Sequence, residues 1–447
     1  MSPSRRAAEL PAGQASWQYE RAGPAEREIL AQDDRMSVRG ASDDVCVLAI
    51  SRAQGAHIED ESGRRYLDFY GNNCHHIGHR HPRVLAAIAD QLGRNAFVPR
   101  GLTSSQSVHL AQRLLMLARW PQGKVIAART GSDATEIALS AAKAATGRYK
   151  VLSFLDSYHG RSAGALSIGG RPLDTRGLGP LLPGCIHVPP HYPIVREEYA
   201  VGPEETARRS LHAIRVAFAH HADIAALVGE TIRNGPHMPP DWYWPEVAEL
   251  CRRHGALLVL DEVATGLGKT GRMFNFHSFG VEPDIVTVGK ALGGAVLPMA
   301  AVLLARPLTI SPSLNLGYFT HEKNPLCAAA GLATLDVLED ERLAERAKEH
   351  EPRIAEQLSR MAAQSAAVGG FECAGMMYSV RFDVDGDDAS TARLVQRIYR
   401  ECVERGLLPM PTRGATLAFS GPLIAQAGEV DEALAILQAS VTAAAIN

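Results

Sequence analysis

No stretch of this 447-residue chain approaches the roughly 18 consecutive apolar residues that a membrane-crossing helix needs, so no membrane span is expected. No basic tract stands out and the formal net charge is −3, which leaves no electrostatic footprint for nucleic acid. The seven cysteines (46, 74, 185, 251, 327, 373 and 402) include no CxxC pair. That excludes a zinc ribbon or disulfide scaffold and fits a reducing, cytoplasmic setting. The opening MSPSRRAAELPAGQ carries charge but no apolar core, so it does not read as a secretory signal. No GxGxxG follows a strand-like run, and dinucleotide binding therefore lacks its fingerprint. His75, His76, His79 and His81 have no carboxylate or cysteine at ligand spacing, and no metal is expected. GLGKTG (Gly266–Gly271) is not a phosphate-binding loop, because Val263 stands where the template requires glycine.

What is present converges on two strand ends. In PDIVTVGKALGG (Pro283–Gly294), the β-branched run Ile285–Val288 marks a buried parallel strand; Gly289 turns the chain and Lys290 stands at its end. A lone lysine in that place reads most simply as a solvated loop residue. Upstream, however, ALLVLDEVATG (Ala256–Gly266) is a second apolar strand that delivers Asp261 at its own end. In open parallel sheets ligands sit at the carboxyl ends of the strands. An aspartate and a lysine at two such ends point to pyridoxal phosphate, with the lysine as nucleophile and the aspartate as partner of the pyridinium nitrogen.

Two further turns fit that picture without requiring it. Arg129-Thr130-Gly131-Ser132-Asp133 joins the strand KVIAA to a helix; Gly131 permits close backbone approach, and Ser132 with the first free N–H groups makes an anion site. An ordinary helix cap is the plainer alternative. Asp156-Ser157-Tyr158-His159-Gly160 follows another strand, which makes Tyr158 a stacking platform or a packed loop residue.

The chain reads as α/β: a large, doubly wound, mostly parallel sheet domain plus a small α+β domain from both termini. The expected division is 1–79 for an N-terminal arm and part of the small domain, 80–325 for the cofactor-binding domain, and 326–447 for the C-terminal small domain. Residues 1–45, polar and rich in Arg and Asp, read as an arm. A hairpin is expected around Glu61-Ser62-Gly63. After Asn324-Pro325 the Ala-rich run to Gln364 reads as one long helix.

LDFYGNNCHHIGHRHPRV, TGSDATE, SYHGR, LDEVATGLGKTGRMF, PDIVTVGKALGG and THEKNPLCAAAGLA together resemble the class III aminotransferases, pyridoxal-phosphate enzymes of fold type I. The likeness runs from about Gly55 to at least Ala333, with its segments in family order. It implies that Lys290 is the Schiff-base lysine and that Asp261 pairs with the ring nitrogen. Val263 and Tyr158 would pack on opposite ring faces, and Gly131 and Ser132 would hold the phosphate. Thr320 of a neighbouring subunit would complete that clamp, so the active unit would be a homodimer with a shared site. Glu230 matches the family's strand-end glutamate.

Three departures bear on the substrate. Ala264 stands where the family often has a glutamine near the cofactor's phenolic oxygen. Ala418 stands where it usually has a carboxylate-gripping arginine; only Arg413 is nearby, and it is the third candidate substrate contact beside Asn73 and His75. GNNCHH is more polar than the usual substrate wall and nominates Asn73 and His75 as substrate contacts. These fit an amine with some other polar group in place of ordinary α-amino/keto-acid exchange. GNN-H and FTHEKNP further resemble a branch that eliminates ammonia from (R)-1-hydroxy-2-aminoethylphosphonate. The resemblance thus implies an aminotransferase acting on a small amine through Lys290, or alternatively an ammonia-lyase; dependence on a keto acid separates them. A cofactor-binding regulator would need a DNA-binding appendage, and the sequence has none.

Overall fold

The computed structural model describes residues 17–18, 20–38, 48–233, 235–308, 310, 314–411 and 414–446. Much of the expected arm, Cys46 and Arg413 lie outside the described residues. The strands are β1 (Ile50–Gln54), β2 (His57–Asp60), β3 (Arg65–Asp68), β4 (Lys124–Ala128), β5 (Lys150–Phe154), β6 (Cys185–Val188) and β7 (Ile224–Glu230). They continue with β8 (Leu257–Asp261), β9 (Ile285–Val288), β10 (Ala300–Leu304), β11 (Val368–Ala374), β12 (Met377–Phe382), β13 (Leu407–Leu408) and β14 (Thr416–Ser420).

A seven-stranded sheet in the order β4-β10-β9-β8-β7-β5-β6 carries the site. Strands β9, β8, β7, β5 and β6 run parallel, and β10 is antiparallel to both of its neighbours. β8 and β9 are buried along their whole length. Helices cover both faces of such a sheet, which is why these strands are continuously apolar rather than alternating. The helix Gly131–Thr146 lies against it, burying Ala134, Ile137, Ala138 and Ala141. A four-stranded sheet, β1-β2-β3-β13, joins the two ends of the chain: β2 and β3 form the hairpin around Glu61–Gly63, and β13 pairs in parallel with β3. A three-stranded antiparallel sheet, β11-β12-β14, completes the C-terminal part. Among the described residues no helix is long and apolar enough to cross a membrane.

The long helix expected after Asn324 is two helices, Pro325–Asp340 and Leu343–Gln364. Glu339, Asp340 and Glu341 put three carboxylates at the negative end of the first helix dipole, an unfavourable place for them. The break falls at Arg342, which adopts left-handed backbone at φ 52°. Neighbouring side chains take up the acids: Arg83 pairs with Asp340 at 2.7 Å and Arg113 with Asp336 and Glu339, and His81 Nε2 lies 3.4 Å from Glu341.

Candidate active site

Register places the site. Across the parallel ladder Glu230 lies opposite Asp261, and Asp261 opposite Thr287, so three polar side chains form one row at the carboxyl ends of β7, β8 and β9. Lys290 follows three residues beyond that row, with left-handed backbone at φ 48°. A non-glycine residue in that region is held there by its surroundings, a condition that clusters at functional sites.

Asp261 is buried and satisfied on both oxygens. Oδ2 lies 2.8 Å from His159 Nδ1; Oδ1 accepts from Val263 N at 3.0 Å and from Thr287 Oγ1 at 3.1 Å. Burial alone would raise its pKa. The His159 hydrogen bond and charge, the Val263 N–H and the Lys290 ammonium outweigh it and hold the carboxyl below its ordinary value. Lys290 retains partial solvent access, yet desolvation of its amine lowers its pKa against the opposing pull of Asp261. Glu230 accepts from Tyr158 N at 3.2 Å through one oxygen and pairs with Arg233 Nη1 at 3.2 Å through the other.

The helix Gly131–Thr146 begins beside this row. Thr130 is its cap, accepting from Asp133 N at 3.1 Å, which leaves the N–H groups of Gly131 and Ser132 with no hydrogen bond among the described contacts. Gly131 packs closely on Val263, whose Cγ1 would stand 3.2 Å from an added Cβ. Gly160 has φ +134°, and a side chain there would reach 2.3 Å from Ser132 Oγ. Ser132 Oγ also accepts from Arg161 N at 3.0 Å, so the Tyr158–Arg161 turn closes on the helix start. Val263 and Tyr158 are both partly exposed. Arg171 lies over the Tyr158 ring at 5.2 Å and is held by Asp174 at 3.0 Å. Thr320 is exposed in this chain, beside Phe319, whose ring carries Arg129 at 4.6 Å.

The segment of the polar wall folds as a tight left-handed turn, with Gly71, Asn72 and Asn73 all at positive φ. Asn73 is fully buried and its Oδ1 accepts from Ser420 Oγ; His75 is fully buried with Nε2 2.8 Å from the Asp68 carbonyl. The two residues nominated as substrate contacts therefore both have protein partners. His76 reaches the Gly266 carbonyl at 3.1 Å, and His79 pairs with Asp68 at 2.8 Å. Ala418 is central in β14, opposite Ser379, and Ala264 lies partly exposed just past β8.

Sequence reading brought Lys290, Asp261, Glu230, Gly131, Ser132, Tyr158 and Val263 to this place; it missed His159, Thr287 and Arg233. Thr287 is the sole polar residue inside Ile285–Val288, a legible sign. His159 was masked by its aromatic neighbour, and nothing local marks Arg233 as buried.

Free N–H groups at a helix start, a close glycine backbone, an ionised aspartate and a desolvated lysine form a donor set that fits a phosphate-bearing pyridine aldehyde. The comparisons agree. The family model Aminotransferase class-III matches residues 38–441. The (R)-1-hydroxy-2-aminoethylphosphonate ammonia-lyase of Vibrio splendidus (strain 12B01) is 29% identical over 433 residues, covering 93% of this chain and 90% of its own. The acetylornithine aminotransferase of Methanothermobacter thermautotrophicus is 32% identical over 391 residues, covering 87% and 93%. A PLP-bound amine transaminase from an uncultivated Pseudomonas species superposes with a TM-score of 0.84 at 29% identity, covering 91% and 97%. With its fold and its sequence both matched across nearly its full length, the chain belongs to the class III aminotransferases, enzymes whose cofactor is pyridoxal 5'-phosphate.

Proposed function

We propose that this enzyme processes the amino group of a small amine at Lys290, by transamination. The observation that carries the reading is the row Glu230–Asp261–Thr287 with Lys290 beyond it, at adjacent strand ends. Pyridoxal phosphate, when bound, accepts an amino group in a C=N linkage and draws electrons from the neighbouring carbon. Lys290 would bind the cofactor covalently and then move the substrate proton at its Nζ, tasks that a lowered pKa favours at neutral pH. The Asp261 carboxylate, kept ionised, would hold a proton on the ring nitrogen. The Gly131 and Ser132 N–H groups would bind the phosphate. Tyr158 and Val263 would fix the ring between them, with Glu230 holding the backbone of Tyr158.

Elimination of ammonia is the second reading, favoured by Ala418 and Ala264 and by the full-length likeness to the Vibrio lyase. Without an arginine on β14 an α-carboxylate finds no bidentate anchor there. Asn73, His75 and Arg413 remain candidates for reading the substrate's polar end, the first two through the turn they hold together. A homodimer in the cytoplasm is the proposed setting: exposed Thr320 fits a partner's phosphate clamp, and the cysteines of the described residues are free.

Two measurements test this. Borohydride reduction of the holoenzyme followed by peptide mapping should place the cofactor on Lys290; a label at Lys269 or Lys323 sinks the assignment. Amines and hydroxy-aminophosphonates are then offered with and without pyruvate or 2-oxoglutarate. Strict dependence on the keto acid supports transamination, and steady ammonia release without one decides for elimination.

A further inference from the structure

Arg233 is buried just past β7, yet nothing in the proposed chemistry uses it. Its guanidinium bridges two strand-end acids: Nη1 lies 3.2 Å from Glu230 Oε1, and Nε 3.3 Å from Asp156 Oδ2. Glu230 ends β7 and Asp156 follows β5, so one planar fork fixes the spacing of two adjacent strand ends. Glu230 Oε2 in turn accepts the Tyr158 amide.

A second set of contacts fixes Arg233 from outside. Its carbonyl accepts from His237 N at 3.2 Å, closing a tight loop. That loop is clamped by the three-stranded sheet. Glu372 of β11 takes His237 Nδ1 at 2.9 Å and Met238 N at 3.2 Å, and Ser379 of β12 donates to the Gly235 carbonyl at 3.0 Å. Tyr192 stacks on the His237 ring at 4.5 Å, and its hydroxyl lies 3.4 Å from Asp156, the acid that Arg233 also holds. The run is continuous, from β11 through His237 and Arg233 to the backbone of the residue that would stack on the cofactor.

We propose that Arg233 is a positioning residue for the amine-processing site, and that the three-stranded sheet sets its place through Glu372 and His237. The inference rests on the proposed reaction only for its functional consequence. Its geometry stands apart: a buried guanidinium between two carboxylates is costly to displace, so movement of the loop is passed to Glu230 and Tyr158 rather than absorbed. Coupling of this kind is established only by measuring both ends together.

The test compares the holoenzyme with Arg233→Lys, Glu372→Ala, their double variant, and Arg196→Gln. Arg196 also ties the chain to its C-terminal part, through Asp383 at 2.7 Å and Asp388 at 2.6 Å, but belongs to no contact in this run. The first readout is amide hydrogen exchange in Asp156–Gly160, which needs no substrate. Glu372→Ala should speed it about three- to tenfold, Arg233→Lys at least as much, and the double no more than Arg233→Lys alone. Arg196→Gln should leave it unchanged. The second readout is the kcat-against-KM split on the best amine: kcat falls in Arg233→Lys and in Glu372→Ala, with cofactor absorbance retained. Unchanged exchange in Glu372→Ala overturns the proposal, as do multiplying effects in the double or an equal effect of Arg196→Gln. If Glu372→Ala fails to fold, His237→Phe keeps the ring stack, breaks the hydrogen bond to Glu372 and is read the same way. Full activity in Lys290→Ala would instead sink the proposed reaction and leave the exchange result standing.

Discussion

Replacing Asp261 by asparagine removes one negative charge from the site while leaving its shape. Oδ1 of the amide still accepts from Val263 N and Thr287 Oγ1, and His159 can offer its other tautomer to the new NH₂ group. The fold should therefore survive. What goes is the ionised acceptor, which the surrounding donors keep charged despite burial. A unit charge about 3 Å from a protonated ring nitrogen is worth about 5 kcal/mol at an effective dielectric of about 20. Only the part that grows as electrons flow into the ring appears in the rate, so kcat should fall about 10²- to 10³-fold. The assay is steady-state turnover on the best amine, with the cofactor's visible band and circular dichroism confirming a loaded, folded protein. Thr287→Ala serves as the scale: it removes one neutral donor, worth about 1 kcal/mol, and should cost about fivefold. Turnover of Asp261→Asn within about threefold of wild type, cofactor retained, would refute the role.

Three further outcomes follow from particular residues. Lys269 is fully buried, donates to the Gly421 carbonyl at 2.7 Å, and has its pKa pushed down by burial to about 7. The unfolded chain therefore binds a proton between about pH 10 and 7 that the folded chain does not, so stability falls as pH drops through that window. Lys269→Met lacks the term; its thermal advantage should widen from pH 10 to 7 and stay flat below, and a constant difference would contradict this. Arg342→Gly relieves left-handed backbone at the helix junction and should stabilise by about 0.5–1 kcal/mol, read by denaturant midpoint. Thr320→Ala should weaken cofactor binding in a protein that light scattering finds dimeric; a monomer with full cofactor affinity would exclude the shared clamp.

The parallel strands were legible because burial on both faces leaves no alternation: IVTV and LLVLD could belong only to the inside of a covered sheet. The residue that ends such a run is then conspicuous, and Asp261 and Lys290 were found that way. The helix break at Arg342 was not legible from composition, since alanine-rich sequence favours continuation; three carboxylates opposing the helix dipole were the available sign. Asn73 and His75 show the opposite limit. Polarity nominates them for the substrate, and the left-handed turn at Gly71–Asn73 adds partners that the sequence does not show, Ser420 for Asn73 and the Asp68 carbonyl for His75. A tertiary contact between residues 347 apart in sequence leaves no local trace.

Arg233 sharpens the point. The strand-end row is dictated by register, and register by the apolar pattern, so Glu230, Asp261 and Thr287 arrive together once β7, β8 and β9 pair. That row alone would place two carboxylates beside Lys290 at the strand ends, and burial of Asp261 by itself would raise its pKa. The His159 hydrogen bond and the Val263 N–H outweigh that burial for Asp261, and Glu230 is paired with Arg233 at 3.2 Å. The parallel sheet thus supplies the positions, while residues outside it hold the carboxylates in place. The two that do so, His159 after β5 and Arg233 after β7, come from connections rather than strands.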